Sequence, residues 1–108
     1  MLVITEGELD ALSVSQLQGN KWPVVSVPNG AQGAKRDIAK QIEWVEKFDR
    51  VVLMFDQDEH GREASEEVAT LLSPGKAYIA TLPLKDANEC LVEGKGAAVI
   101  DAMWGAKQ

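Results

Sequence analysis

Residues 51–62 read Val51-Val52-Leu53-Met54-Phe55-Asp56-Gln57-Asp58-Glu59-His60-Gly61-Arg62. An unbroken apolar run, with no polar alternation, is the pattern of a strand covered on both faces, as in a parallel sheet between helices. The strand, predicted over Val51 to Phe55, then delivers two aspartates spaced one residue apart. Gly61 follows where the chain must turn sharply into a helix. Ligands of an open parallel sheet bind beyond the carboxyl ends of its strands, so acids at such an end mark both the fold class and the place to look for chemistry.

Similar short runs, rich in β-branched residues, lie at Leu2 to Thr5, Val24 to Val27 and Ala77 to Ala80. Segments with helical spacing separate them. Leu9, Leu12, Val14 and Leu17 are predicted to face a core from one helix, Ile38, Ile42, Val45 and Phe48 from the next, and Ala64, Val68, Leu71 and Leu72 from a third. Gly19-Asn20 should end the first helix, Pro23 precede the second strand and Ser73-Pro74-Gly75 stop the third helix. Two short helices are expected in the tail, over Asp86 to Val92 and Ala97 to Trp104. Alternating strands and helices imply right-handed crossovers and an α/β architecture: a Rossmann-like open sheet of about four mainly parallel strands flanked by helices.

The sequence has 108 residues, 45% hydrophobic and 26% charged, which is the composition of one folded domain over residues 1–108. Its net charge of -6 has the wrong sign for gripping a nucleic-acid backbone directly. A polyanionic partner would need divalent cations held by carboxylates, or a basic domain elsewhere in a longer chain. The single cysteine, Cys90, excludes an internal disulfide framework and a multi-cysteine zinc site, and suits a reducing, cytoplasmic setting. Cys90 is expected to be a buried small apolar residue. No leader pattern opens the chain and no apolar run is long enough to span a bilayer.

Acids follow three of the predicted strands: Glu6, Glu8 and Asp10 after the first, Asp56, Asp58 and Glu59 after the third, Asp86 and Glu89 after the fourth. Like charges gathered at one edge repel and raise one another's pKa values. A hard divalent cation removes that cost, and Mg²⁺ or Mn²⁺ suits an all-oxygen donor set. If the third strand continued, Asp56 and Asp58 would point the same way and face one ion or a pair of ions. Any one of these acids alone reads as a helix cap; together they point to a metal site. His60 has no partner histidine or cysteine and reads as a solvated loop residue. After the second strand, Asn29 and Gly30 lead to Lys35 and Arg36 at a helix start, which suits phosphate contact, although the pattern is neither a Walker A loop nor a dinucleotide fingerprint. Trp22, Trp44 and Trp104 are too scattered for a base-stacking platform and read as packing residues.

Glu6-Gly7 with Asp10 after a strand, and Asp56-x-Asp58-x-x-Gly61 after a later one, resemble the two signature motifs of Toprim domains. Those domains occur in type IA and type II topoisomerases, DnaG-type primases, recombination-mediator proteins and old-type nucleases. Val3 to Leu12, Val51 to Arg62 and Lys85 to Cys90 look most like the bifunctional primase-helicases of phages, whose mitochondrial relative is the Twinkle helicase. Lys85-Asp86-Ala87-Asn88-Glu89 is similar to a third acidic motif of that branch. The resemblance implies the Toprim fold, with residues 1–108 cut from a longer primase-helicase. It makes Glu6 an acid-base or metal-associated glutamate, Asp56 and Asp58 central metal ligands, Asp86 a further metal-facing acid and Asp10 a supporting catalytic carboxylate.

The activity implied is template-directed RNA primer synthesis by nucleotidyl transfer, with Mg²⁺ or Mn²⁺ as cofactor. Single-stranded DNA template and nucleoside triphosphates would be the substrates, with helicase and basic primase subdomains in cis. A Toprim module of a nuclease or topoisomerase and a non-catalytic metal-binding interaction domain are the alternatives. A topoisomerase needs a tyrosine nucleophile, and the lone Tyr78 sits in a predicted strand. A phosphoacceptor receiver domain would need paired acids after the first strand, and a haloacid-dehalogenase-type phosphatase its Asp-x-Asp there; neither pattern is met.

Overall fold

A computed structural model describes all residues 1–108. The elements run β1 (Leu2–Thr5), α1 (Glu8–Leu17), β2 (Val24–Ser26), α2 (Gly30–Lys40), α3 (Ile42–Val45), β3 (Val51–Met54), α4 (Glu59–Ala69), β4 (Ala77–Ile79), α5 (Ala87–Val92) and α6 (Gly96–Gly105). The four strands form one sheet in the order β2-β1-β3-β4. Every neighbouring pair is parallel, with Thr5 level with Ser26 on one side and with Met54 on the other. The α/β open sheet expected from the sequence is therefore the fold, with β2, β3 and β4 each closing one residue earlier than predicted. Val27, Phe55 and Ala80, the residues just beyond, stay buried.

Period-two alternation divides the core between the two faces of the sheet. Leu2, Ile4, Val51, Leu53 and Phe55 point to one side, where Ala34 and Ile38 of α2, Val45 of α3 and Ala64 and Val68 of α4 cover them. Val3, Val52 and Met54 point to the other, against Val14 of α1, Ala87 and Cys90 of α5, and Val99, Ala102 and Met103 of α6. The central strands are buried along their whole length and the two edge strands only partly, so the continuous apolar runs are explained by helices on both faces. From β1 the chain moves outward to β2, then reverses past β1 to β3 and β4. Crossovers of one hand require the helices of the two directions to lie on opposite faces, as α1 and the set α2 to α4 do.

Two helix expectations need correction. The apolar series Ile38, Ile42, Val45 and Phe48 is shared between two helices, because the chain leaves helical geometry at Gln41 (φ -113°, ψ 19°); all four residues still reach one core cluster. In α1, Leu9 and Leu12 are 65% and 66% exposed. The inward stripe is Asp10, Ser13, Val14 and Leu17, the last half-buried, a spacing that places all four on one helical face.

The tail is fastened by Arg50, just before β3. Its guanidinium Nη2 donates to the carbonyls of Met103 (2.8 Å) and Trp104 (3.2 Å) at the end of α6, where a helix presents free acceptors and a partial negative charge. The same group lies 4.0 Å from the ring centroid of Tyr78. Beyond α6, Lys107 makes an antiparallel bridge with Ile79 on the outer side of β4. Trp22 and Trp104 meet edge to face at 6.1 Å, and Trp44 meets Phe48 at 5.1 Å, so the tryptophans pack locally. No helix is long and apolar enough to cross a membrane.

Arg50→Ala removes two charge-assisted hydrogen bonds and an aromatic contact, and should cost about 2 kcal/mol in urea denaturation. Hydrogen exchange should show the loss of protection concentrated in α6 rather than in β1 or β3.

A candidate metal centre at the reversal of the sheet

The reversal at β1 leaves a crevice at the carboxyl ends of β1 and β3, the place where an open sheet offers a site. Glu6 follows β1 and Asp56 lies two residues past the end of β3, so adjacent parallel strands bring together residues fifty positions apart. Asp86, before α5, and Asp10, in the first turn of α1, complete the rim. Asp10, Asp56 and Asp86 each offer a carboxylate oxygen, and these oxygens all lie within 4.8 Å of one another.

Free amides of helix first turns hold these acids in place. Asp10 Oδ1 accepts from the backbone N–H of Asn88 at 3.0 Å, and Asp86 Oδ1 accepts from the next amide, that of Glu89, at 2.8 Å. Both donors belong to α5, so one helical turn grips two carboxylates from opposite ends of the chain. The single hydroxyl proton of Ser13 is shared between two acceptors, the Leu9 carbonyl at 2.8 Å and Asn88 Oδ1 at 3.1 Å. The loop after β3 is tied to the same region by the Gln57 N–H, which donates to the Lys85 carbonyl at 2.6 Å.

Asp58 sits differently from its expected placement beside Asp56 on a continuing strand. The strand stops at Met54, and Asp58 is the N-cap of α4, with Oδ1 accepting from the Gly61 N–H at 2.7 Å. It remains near enough for its charge to act on Asp56. Gly61 owes its identity to close approach: a Cβ there would stand 2.0 Å from the Asp56 carbonyl oxygen. A side chain at 61 would therefore push on the loop that carries Asp56.

The electrostatics are those of an unneutralised anionic cluster. Burial, then the charges of Asp86 and Asp56, raise Asp10 to about 6, against the hydrogen bond from Asn88 that lowers it. Burial, followed by the charges of Glu6 and Asp86, raises Asp56 to about 6 as well. Glu6 Oε1 is buried with no hydrogen-bond partner. Glu6 stands outside the trio of converging oxygens, although its charge acts on Asp56; the trio lacks a counter-charge, and oxygen-only donors fit a hard divalent cation.

A hollow of about 470 Å³ opens over this rim, lined by Glu6, Gly7, Asp10, Gly30, Asp86 and Asn88 among others. It joins the acids to the start of α2, where Gly30 has φ +64°. The other residues expected to contact phosphate lie further out. Asn29 is exposed and its amide donates to Asp37 at 3.2 Å, and Lys35 and Arg36 are exposed on α2. His60 is exposed and Cys90 buried. Tyr78, under Arg50 with its hydroxyl accepting from Gln108, is remote from the rim. Sequence reasoning gave no role to Ser13 or Asn88 and placed Asp10 only in support. The inward stripe of α1, read without regard to polarity, would have found the first and last of these.

The raised values set the pH dependence of the metal-free chain. A carboxyl whose folded pKa exceeds its unfolded one binds more protons when folded, so its contribution is largest below the ordinary value of 3.8 and is lost as pH rises through about 6. Metal-free protein should therefore be more stable to denaturant at pH 5.5 than at pH 7.5. Glu46, whose carboxyl is lowered from 4.5 by hydrogen bonds from Ser73, is ionised at both and does not obscure the comparison. Asp56→Asn should flatten this dependence and raise metal-free stability at pH 7.5; lower stability of the variant would contradict the repulsion argument.

Comparison with known proteins agrees with the motifs and the geometry. The chain is 48% identical over 105 residues to the DNA helicase/primase of Enterobacteria phage T3, covering 97% of the present chain and 19% of that relative. Among solved structures it matches the primase fragment of the bacteriophage T7 primase-helicase protein with a TM-score of 0.92 at 47% identity, over 95% of this chain and 43% of that one. It also matches a T7 structure of the lagging-strand DNA polymerase interacting with primase domains of two gp4 subunits bound to an RNA/DNA hybrid and dTTP. There the TM-score is 0.93 at 46% identity, over 98% of this chain and 54% of that one. The chain thus spans a minor part of the phage relative and about half of the primase chains. Residues 3–91 match the model of the family described as Toprim-like, a span that includes every acid of the rim, and the chain belongs to that family.

Proposed function

We propose that this chain is the metal-dependent catalytic module of a phage-type primase-helicase and supports RNA primer synthesis on a single-stranded DNA template. The observation that carries the reading is the convergence of Asp10, Asp56 and Asp86 beside the unpartnered Glu6 oxygen. The likeness to a helicase/primase and to a primase fragment favours primer synthesis over a nuclease or topoisomerase reading. Basic primase and helicase subdomains of the longer protein supply the positive surface that a module of net charge -6 lacks. The setting is the cytoplasm of an infected bacterial cell.

Mg²⁺ or Mn²⁺ is the proposed cofactor, with Glu6, Asp56 and Asp86 of the rim and the nearby Asp58 as its holders, and Asp10 as the remaining acid of the rim. Such an ion, when bound, supplies Lewis-acid stabilisation of charge on phosphoryl oxygens. In the nucleotidyl transfer, the 3′-hydroxyl oxygen of one ribonucleotide bonds to the α-phosphorus of the next and pyrophosphate leaves. Glu6, whose Oε1 has no hydrogen-bond partner in the chain, accepts the hydroxyl proton. The Gly30 amide, at the start of α2 and on the wall of the same hollow, faces phosphate, and helix starts favour anions. Asn29 braces that loop through Asp37. Lys35 and Arg36 have the reach and freedom to turn toward triphosphate oxygens from the surface of α2.

Titrating Mn²⁺ or Mg²⁺ into the isolated chain should move or broaden amide signals of Glu6, Asp10, Asp56 and Asp86 first, and Asp56→Asn should abolish the response. In the intact parent protein the same substitution should reduce primer synthesis by at least about a hundredfold. Unchanged synthesis would remove Asp56 from the mechanism.

A further inference from the structure

Helix α1 is turned the wrong way for its own hydrophobicity. It exposes Leu9 and Leu12 while Asp10 and Ser13 are 6% and 3% exposed. Turning two leucines to water forgoes about 1.5 to 3 kcal/mol each, and burying a polar group adds a cost unless it is bonded. Val14 and Leu17 do face the core, but apolar packing alone does not account for a rotation that buries Asp10 and Ser13 in place of two leucines. What accompanies it is a chain of polar contacts between α1 and α5: Ser13 Oγ to Asn88 Oδ1, then the Asn88 backbone N–H to Asp10 Oδ1. Residues 75 and 78 positions apart are joined by the two bonds, so they tie elements and not merely a turn.

We infer that Ser13 and Asn88 are positioning residues for the metal centre, a polar pin that fixes the rotation of α1 against α5 and so sets Asp10 against Asp86 and Asp56. This rests on the reading of the rim as a cation site. Neither side chain is assigned to the ion. Asn88 is placed to act through its main chain, whose amide holds Asp10, while its side chain is fixed by a buried hydroxyl. The neighbouring amide of the same turn holds Asp86, so a small rotation of α5 would move two of the three clustered carboxylates together. Asp10 has a single hydrogen bond to resist the repulsion of its neighbours. Without the pin, the oxygens gain room to separate, and an ion that needs them a few ångströms apart binds less well.

Calorimetric titration of the whole 108-residue chain with Mn²⁺ alone, at pH 7.5, tests this. The dissociation constant should rise about tenfold in Ser13→Ala and in Asn88→Ala, the scale on which partners of ligand residues act. Ser13→Thr, which keeps the hydroxyl and can bond the carbonyl four residues back, should return to within about threefold of the parent. Parent-like affinity in both alanine variants overturns the pin, and so does a loss that Ser13→Thr fails to recover, since the role is then packing. If the parent chain itself takes up no Mn²⁺, the cation reading falls and the pin with it. Asp56→Asn abolishing uptake while the alanine variants bind like the parent leaves that reading intact and removes only the inference.

Discussion

Mutual repulsion among carboxylates is the force against which this structure is organised. The chain reverses direction at β1, so the ends of two adjacent parallel strands present Glu6 and Asp56 to the same crevice, and helices α1 and α5 add Asp10 and Asp86. No basic side chain neutralises them. Backbone amides hold Asp10 and Asp86, through partial charges that steady an anion without cancelling it. Amides leave the outward oxygens uncommitted, which an arginine or lysine would not. The anionic rim is thus suited to positive charge from outside the chain, and burial first, then the neighbouring acids, raise Asp10 and Asp56 to about 6.

Much of this could be read from the sequence because burial on both faces of a sheet leaves an unmistakable pattern. The runs at Leu2, Val24, Val51 and Ala77 are strands, and the acids that follow three of them reach one edge because the fold sends every strand end the same way. The two short tail helices expected over Asp86 to Val92 and Ala97 to Trp104 are also present, as α5 and α6. The failures have separate physical causes. Sequence periodicity assumes that apolarity orients a helix, but α1 is oriented by Asp10 and Ser13, whose partners on α5 lie more than seventy residues away. Asp58 was misplaced for a different reason: strand alternation stops at Met54, and the capping demand of α4 takes the side chain instead. The break at Gln41 has neither proline nor glycine to announce it.

The relation of this module to its longer relatives follows from charge and area. A chain of net charge -6 does not favour a polyanion at its surface, so under the proposed function template grip falls to other parts of the longer protein. The same division frees the Toprim-like part from carrying a basic surface that would collapse onto its own acids. A fold of this size can then devote one whole edge to carboxylates.

Open sheets carry a hazard at their two outer strands, where unpaired backbone groups invite a neighbouring chain to add on. Here each flank is blunted by different means. Lys107 returns to occupy the outer hydrogen-bonding positions of Ile79, with N–H to O distances of 2.7 and 3.2 Å, while β2 is cut to three residues between Pro23 and Pro28. Prolines curtail a ladder because they lack the donor that would extend it. The C-terminal residues therefore act as a selvedge on the sheet, and trimming the chain before Lys107 would uncover a strand prone to self-association.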